Sequence, residues 1–147
     1  MLSRAGRYFP VLLLAALLAA ALPACSASAN TAGLHLMPME QLPAQVQSAP
    51  AAVRAAYQFA AANPDVMQHI PCYCGCGGIG HTSNYSCYVS HADTAGSLTF
   101  DNHALGCSIC VDITQDVMRL LREGKSVPDI RAYVDSTYSR YGTSNMP

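Results

Sequence analysis

The feature that most constrains this chain is Cys72-Tyr-Cys-Gly-Cys76, which places three thiols within five residues. Pro71 precedes this segment, and Gly75, Gly77 and Gly78 leave its backbone free to bend. Cysteines two positions apart reach disulfide geometry only under strain, because a disulfide requires particular Cα separations and torsion angles. The same spacing allows several sulfurs to surround one soft metal ion. The segment therefore argues against a purely structural disulfide framework.

The chain has seven cysteines, and only Cys25 lies near the N-terminus. The candidate metal ligands are the other six: Cys72, Cys74, Cys76, Cys87, Cys107 and Cys110. An even number in an exported chain would ordinarily suggest three disulfides. The tight C-x-C-x-C and C-x-x-C groups are instead typical of metal sites and of redox sites.

The N-terminus has the pattern of a secretory signal. Arg4 and Arg7 precede an apolar run over residues 10–22 that is too short for a comfortable transmembrane helix. Leu22-Pro-Ala-Cys25 resembles a bacterial lipobox. We predict a signal peptide over residues 1–24 and lipidation of Cys25; the alternatives are an ordinary cleavage nearby or an uncleaved anchor. The chain is then exported and anchored to the outer face of a bacterial membrane, at the cell surface or in the periplasm.

Residues 25–48 are poor in charge and in large side chains, so we predict a flexible, lipidated tether. A helix follows over residues 50–62, where Val53, Ala56 and Tyr57 begin an apolar face. Residues 72–102 predict a loop rich in cysteine and glycine, with a short hairpin from residues 85–89 and 97–100.

A long helix is predicted from about residue 102 to residue 123, with its apolar stripe at Ile113, Val117, Leu120 and Leu121. Cys107 and Cys110 fall on the same face. Gly124 ends this helix, and Ser126-Val-Pro-Asp129 begins another. The short link predicts an antiparallel pair. The fold class is mainly α: a small three-helix domain over residues 49–142 with a cysteine-rich loop cap, followed by a disordered tail over residues 143–147.

His81 and His103 lie beside the cysteines and are further candidate metal ligands. The alternative is that both rings hydrogen-bond the loop backbone. Asp101 and Asn102 are better explained as helix caps than as ligands.

The remaining composition excludes several classes of function. Acidic residues outnumber basic ones, 9 to 8, before Arg4 and Arg7 are removed, so no basic patch predicts nucleic acid as a partner. The chain has no G-x-S-x-G, no H-E-x-x-H and no phosphate-binding glycine loop. A binding protein is favoured over an enzyme.

These motifs together resemble the PCYCGC-motif (CYCXC) family of bacterial lipoproteins. The resemblance begins at Pro71-Cys-Tyr-Cys-Gly-Cys76, includes Gly80-His81 and Cys87, and continues through Asp101-x-His103-x-x-x-Cys107-x-x-Cys110 to Tyr133-Val134-Asp135. It implies a secreted lipoprotein. Some members carry selenocysteine in place of a cysteine, which implies redox or soft-metal chemistry.

The C-terminal third also resembles the three-helix thiol-reductase domain of cytochrome c maturation. This similarity includes Cys107-x-x-Cys110 and Tyr138-Ser-Arg-Tyr141, but it has no counterpart of the CYCGC segment. It implies a helical fold and keeps a redox function open.

Three hypotheses follow from the cysteines. The leading one is a thiolate site for a soft metal, Cu(I) first and Zn(II) as the alternative, in a metal buffer or chaperone that is held by a lipid anchor and works with a metal-delivery partner. The second is a thiol–disulfide redox protein with Cys107 and Cys110 as the redox pair and a redox partner protein. The third is a purely structural disulfide cap.

Overall fold

The computed structural model describes residues 33–147. The predicted signal peptide, the lipidation site Cys25 and the tether as far as residue 32 lie outside the described residues. Within residues 33–147 the chain forms six α-helices and one two-stranded sheet, which confirms the prediction of a mainly α fold with a short hairpin. The helices are α1 Ala44–Gln47, α2 Ala51–Ala62, α3 Pro64–Met67, α4 His103–Gly106, α5 Ser108–Arg122 and α6 Val127–Tyr138. No helix in this part of the chain is long and apolar enough to span a membrane.

The core lies between α2 and α5, with α6 packed on α5. Phe59 in α2 and Ile113 and Val117 in α5 are fully buried. Gly124 ends α5 with a left-handed backbone (φ 76°), a conformation that glycine adopts without steric cost. The Ser126 hydroxyl then accepts a hydrogen bond from the Asp129 amide and caps α6, as the sequence predicts.

The predicted long helix is interrupted at Cys107. The backbone of Cys107 is extended (φ −117°, ψ 100°), so that α4 ends at Gly106 and Cys107 becomes the N-cap of α5. Gly106 weakens the helix at this point, because glycine costs about 1 kcal/mol relative to alanine in a helix. The prediction of one continuous helix from residue 102 is therefore wrong, and Cys107 lies at a helix start rather than beyond the first turn.

The predicted tether is corrected for its described part, residues 33–48. Leu42, in the extended backbone before α1, and Val46, within α1, are both buried in the core. Met37 and Gln58 exchange hydrogen bonds: the Met37 amide donates to the Gln58 carbonyl at 2.9 Å, and the Gln58 side chain donates to the Met37 carbonyl at 2.8 Å. Apolar burial and these bonds join the segment to α2.

The hairpin consists of β1 Val89–Ala92 and β2 Leu98–Phe100, which are antiparallel. Val89 pairs with Phe100 and Ala92 with Leu98. The first strand begins at Val89 rather than at residue 85, because Tyr85–Cys87 forms a 3-10 turn.

The predicted disordered tail is also corrected. The Asn145 amide donates to the Cys72 carbonyl at 3.1 Å, and Arg131 donates to the Pro147 carbonyl at 2.7 Å. These hydrogen bonds hold residues 143–147 against the cysteine-rich loop and α6.

Candidate metal centre

The structure brings the six predicted cysteines together where the cysteine-rich loop meets the start of α5. Cys72 and Cys74 lie in the loop, and Cys76 begins the 3-10 turn Cys76–Ile79. Cys87 ends the turn Tyr85–Cys87, while Cys107 and Cys110 belong to the first turn of α5. All six thiols are free.

Four ligands form an outer quartet, which is composed of Cys74, His103, Cys107 and Cys110. Their sulfur and nitrogen atoms all lie within 4.8 Å of one another. The Cys74 sulfur is 3.4 Å from His103 Nε2 and 3.6 Å from the Cys110 sulfur. Cys110 is buried, whereas the other three side chains are half-buried.

The other three cysteines form an inner trio, which is composed of Cys72, Cys76 and Cys87. Their sulfurs also lie within 4.8 Å of one another, and all three residues are buried. The Cys72 sulfur connects the two groups, because it is 3.3 Å from the Cys110 sulfur and 3.4 Å from the Cys74 sulfur.

Gly75 separates the two groups along the chain. Its left-handed backbone (φ 85°) turns the chain between Cys74 and Cys76, so that these neighbours contribute to different groups. A residue with a side chain would be strained in this conformation.

The sulfur spacing fits coordination of a common ion. Zinc–thiolate bonds of about 2.3 Å place tetrahedral ligand atoms roughly 3.8 Å apart. The closest sulfur pairs are 3.3 Å apart for Cys72 and Cys110 and 3.7 Å apart for Cys76 and Cys87, and within each group all ligand atoms lie within 4.8 Å of one another. A disulfide needs about 2.05 Å. The donor set and its spacing therefore suit a metal ion.

Hydrogen bonds between the thiols favour one thiolate in the metal-free cluster. Bonds from Cys110 and then Cys87 hold the pKa of Cys72 far below its usual range. Burial, and after it the charge on Cys72, raises the pKa of Cys74, and burial raises the pKa of Cys76. A thiolate binds a metal and a thiol does not, so a bound ion must displace protons from the remaining cysteines.

The two candidate histidines have different positions. His103 belongs to the outer quartet, but His81 belongs to neither group of ligands. The His81 ring packs edge-to-face on His103 at 5.2 Å, and its Nε2 lies 3.6 Å from Asp101 Oδ2. Asp101 accepts a hydrogen bond from the His103 amide at 2.7 Å and so satisfies the first amide of α4, whereas Asn102, the N-cap residue, makes no side-chain cap bond. His81 and Asp101 thus position His103 and are not themselves members of a ligand group.

Three polar residues at the site were missed by the sequence analysis: Asn84, Thr114 and Asn145. The Asn84 and Thr114 side chains and the Tyr88 hydroxyl all donate to the Cys110 carbonyl, at 3.4, 3.0 and 2.8 Å. The sequence could have indicated a role for Thr114, because this polar residue lies four positions after Cys110 on the apolar face of α5. The tail residue Asn145 donates from Nδ2 to the Cys76 sulfur at 3.5 Å.

Comparison with known proteins gives one match. The family described as "Protein of unknown function with PCYCGC motif" matches residues 15–146, which is most of the chain. Neither the curated proteins nor the solved structures yield a match. The resemblance to the cytochrome c maturation domain thus stays a prediction. The match includes every cysteine and histidine of the two ligand groups, and this chain belongs to the PCYCGC-motif family.

Proposed function

We propose that this protein is an exported lipoprotein that binds Cu(I) through its cysteine cluster and serves as a copper buffer or chaperone. One observation carries the proposal: the Cys72 sulfur lies within 3.4 Å of the sulfurs of both Cys74 and Cys110. It thereby connects two groups of ligands that together contain six free thiols.

The donor chemistry favours a soft ion. Six of the seven candidate ligands in the two groups are cysteine sulfurs, and soft sulfur ligands suit Cu(I). Zn(II) is the alternative cargo, because the outer quartet has the Cys₃His composition of many zinc sites.

Export and anchoring are proposed from the N-terminal pattern: Arg4, Arg7, the apolar run and Cys25. A lipid on Cys25 would hold the protein at the outer face of the membrane. Outside the cytoplasm unprotected thiols oxidise to disulfides, and a bound metal ion would protect them. Replacing Cys25 by Ala should abolish incorporation of labelled fatty acid and release the protein from the membrane fraction; an unchanged distribution would contradict the lipid anchor.

Native mass spectrometry tests the metal function. The protein is purified without oxygen and weighed before and after Cu(I) or Zn(II) is added. We expect uptake of Cu(I) with all six thiols protected from alkylation. The double variant Cys74→Ser/Cys76→Ser should lose this uptake, while the control His91→Ala, which changes an exposed residue of neither ligand group, should retain it. A reduced protein that takes up neither metal would overturn the proposal.

A second candidate function is thiol–disulfide exchange by Cys107 and Cys110. It is favoured by the position of Cys107, which is half-buried at the N-cap of α5 with Cys110 three residues later. In such exchange the two thiols would become a disulfide while a disulfide of a substrate protein took up the two electrons and two protons. Cys107→Ser should then abolish reduction of a disulfide substrate, whereas Cys76→Ser should not. Equal loss in both variants would argue against a dedicated pair.

A further inference from the structure

We propose that the cluster binds two metal ions in unequal sites, with a closed site at the inner trio and an exchanging site at the outer quartet. This inference rests on the proposed metal function. It also identifies the end of the cluster at which an ion is gained and lost.

The first argument is the separation of the ligands. Gly75 directs Cys74 to the outer quartet and Cys76 to the inner trio, so one C-x-C unit contributes to both sites. No single ion can bind all seven donors. Cys72 lies close enough to both groups to act as a bridging thiolate.

The second argument is exposure. The exposed fractions of Cys72, Cys76 and Cys87 are 0%, 2% and 0%, so solvent and partner ligands do not reach the inner trio directly. In the outer quartet, Cys74, His103 and Cys107 are each only half-buried. Exchange of a metal ion requires an incoming ligand to reach it, and only the outer end offers that access.

The third argument is a cleft beside the outer quartet. It has a volume of about 270 Å³, and Cys107 forms part of its wall together with Val53, Leu105, Val111 and Asp112. The lining is mainly apolar and includes one ligand residue of the outer quartet. Such a surface suits a partner that presents its own thiolate to Cys107 and receives the ion by ligand exchange, with no change in the oxidation state of the metal.

The fourth argument concerns the composition of the donors. The inner trio offers only sulfur, which suits three-coordinate Cu(I), whereas the outer quartet includes the His103 nitrogen. Asp101 holds the His103 backbone, and the His81 ring packs against the imidazole. These contacts restrain the one nitrogen donor before an ion arrives.

The experiment is a Cu(I) titration of the full chain under native mass spectrometry, followed by removal with a chromophoric Cu(I) chelator. We expect two ions per chain, one removed quickly and one slowly. The double variant His103→Ala/Cys107→Ser leaves only Cys74 and Cys110 in the outer quartet, so it should remove the quickly exchanging ion and retain the other. The control His91→Ala changes an exposed histidine in β1 that belongs to neither group, and it should bind two ions like the unmodified protein.

A complementary variant tests the inner site. Cys87→Ser should lose the slowly exchanging ion, and circular dichroism with and without metal establishes that the variant folds. If it does not fold, the half-buried Cys107→Ser replaces it as a second test of the outer site. A single ion that occupies all six thiols, two ions released at one rate, or a His103→Ala/Cys107→Ser variant that binds like the His91→Ala control would overturn the two-site inference and leave the proposed function standing. No Cu(I) uptake at all would overturn both.

Discussion

Asn145, near the C-terminus, forms two hydrogen bonds with the backbone of Cys72. The side-chain oxygen of Asn145 accepts a hydrogen bond from the Cys72 backbone amide at 2.7 Å, and the backbone amide of Asn145 donates to the Cys72 carbonyl at 3.1 Å. Its side-chain nitrogen reaches the Cys76 sulfur at 3.5 Å. One tail residue therefore holds the start of the CYCGC segment and contacts a sulfur of the inner trio.

Replacing Asn145 by Ala should loosen this segment. The substitution leaves the Cys72 amide without its acceptor, which costs about 1–2 kcal/mol of unfolding free energy. Urea unfolding measures this loss, and Cu(I) competition should show weaker binding. The control Asn102→Ala removes an exposed asparagine whose side chain makes no capping bond, and it should change neither quantity. Wild-type stability and affinity in Asn145→Ala would contradict a structural role for the tail.

Gly142 should tolerate no side chain. A Cβ built on it would lie 2.8 Å from the Tyr73 carbonyl oxygen, so Gly142→Ala must push the tail away from the loop. Such overpacking costs about 1–3 kcal/mol, which thermal unfolding detects. Gly78→Ala is the matched control, because its Cβ meets nothing within 4 Å. Equal melting temperatures for the two variants would disprove the close approach.

Local patterns predicted the helices well. The apolar spacing of Ile113 and Val117 and the cap at Ser126 are signals within a few residues, and the structure contains both. The break before Cys107 was missed because Gly106 is a single weak signal inside an otherwise helical pattern. The packing of Leu42 and Val46 was missed because two apolar residues in a segment rich in small residues and proline do not reveal a partner.

The members of the site were easier to predict than their arrangement. Cysteine spacing alone named the six thiols that the structure brings together. Their division into two groups depends on the turn at Gly75, and the role of Asn145 depends on bonds to a residue 73 positions away. No local pattern in the sequence carries information of either kind.

Tyr88→Phe should destabilise the metal-free protein. The Tyr88 hydroxyl is fully buried and lies 2.8 Å from the Cys110 carbonyl and 2.7 Å from the Thr114 hydroxyl. Removing it leaves buried polar groups with fewer partners, which costs about 1–3 kcal/mol. The control Tyr85→Phe removes the hydroxyl of another buried tyrosine for which the structure shows no hydrogen bond, and urea unfolding should show little change. Similar losses in both variants would contradict the role assigned to the Tyr88 hydroxyl.

The buried tyrosines should make the protein sensitive to alkali. Burial raises the pKa of Tyr88 and, with a smaller contribution from Asp101, that of Tyr57. An unfolded tyrosine loses its proton near pH 10. Above that pH the folded chain retains protons that the unfolded chain releases. The contribution of these tyrosines to the free energy of unfolding is therefore fully present below pH 10 and is lost as the pH rises further.

Absorbance of tyrosinate, recorded together with circular dichroism, checks this dependence. We expect some of the seven tyrosines after the signal peptide to ionise only as the helical signal disappears. Tyr88→Phe should shrink this late step, because it removes a ring that is protected by burial. Tyr141→Phe, which removes a ring that is 51% exposed, should leave the late step intact. Ionisation of all seven rings while the helical signal persists would show that burial does not protect Tyr57 and Tyr88.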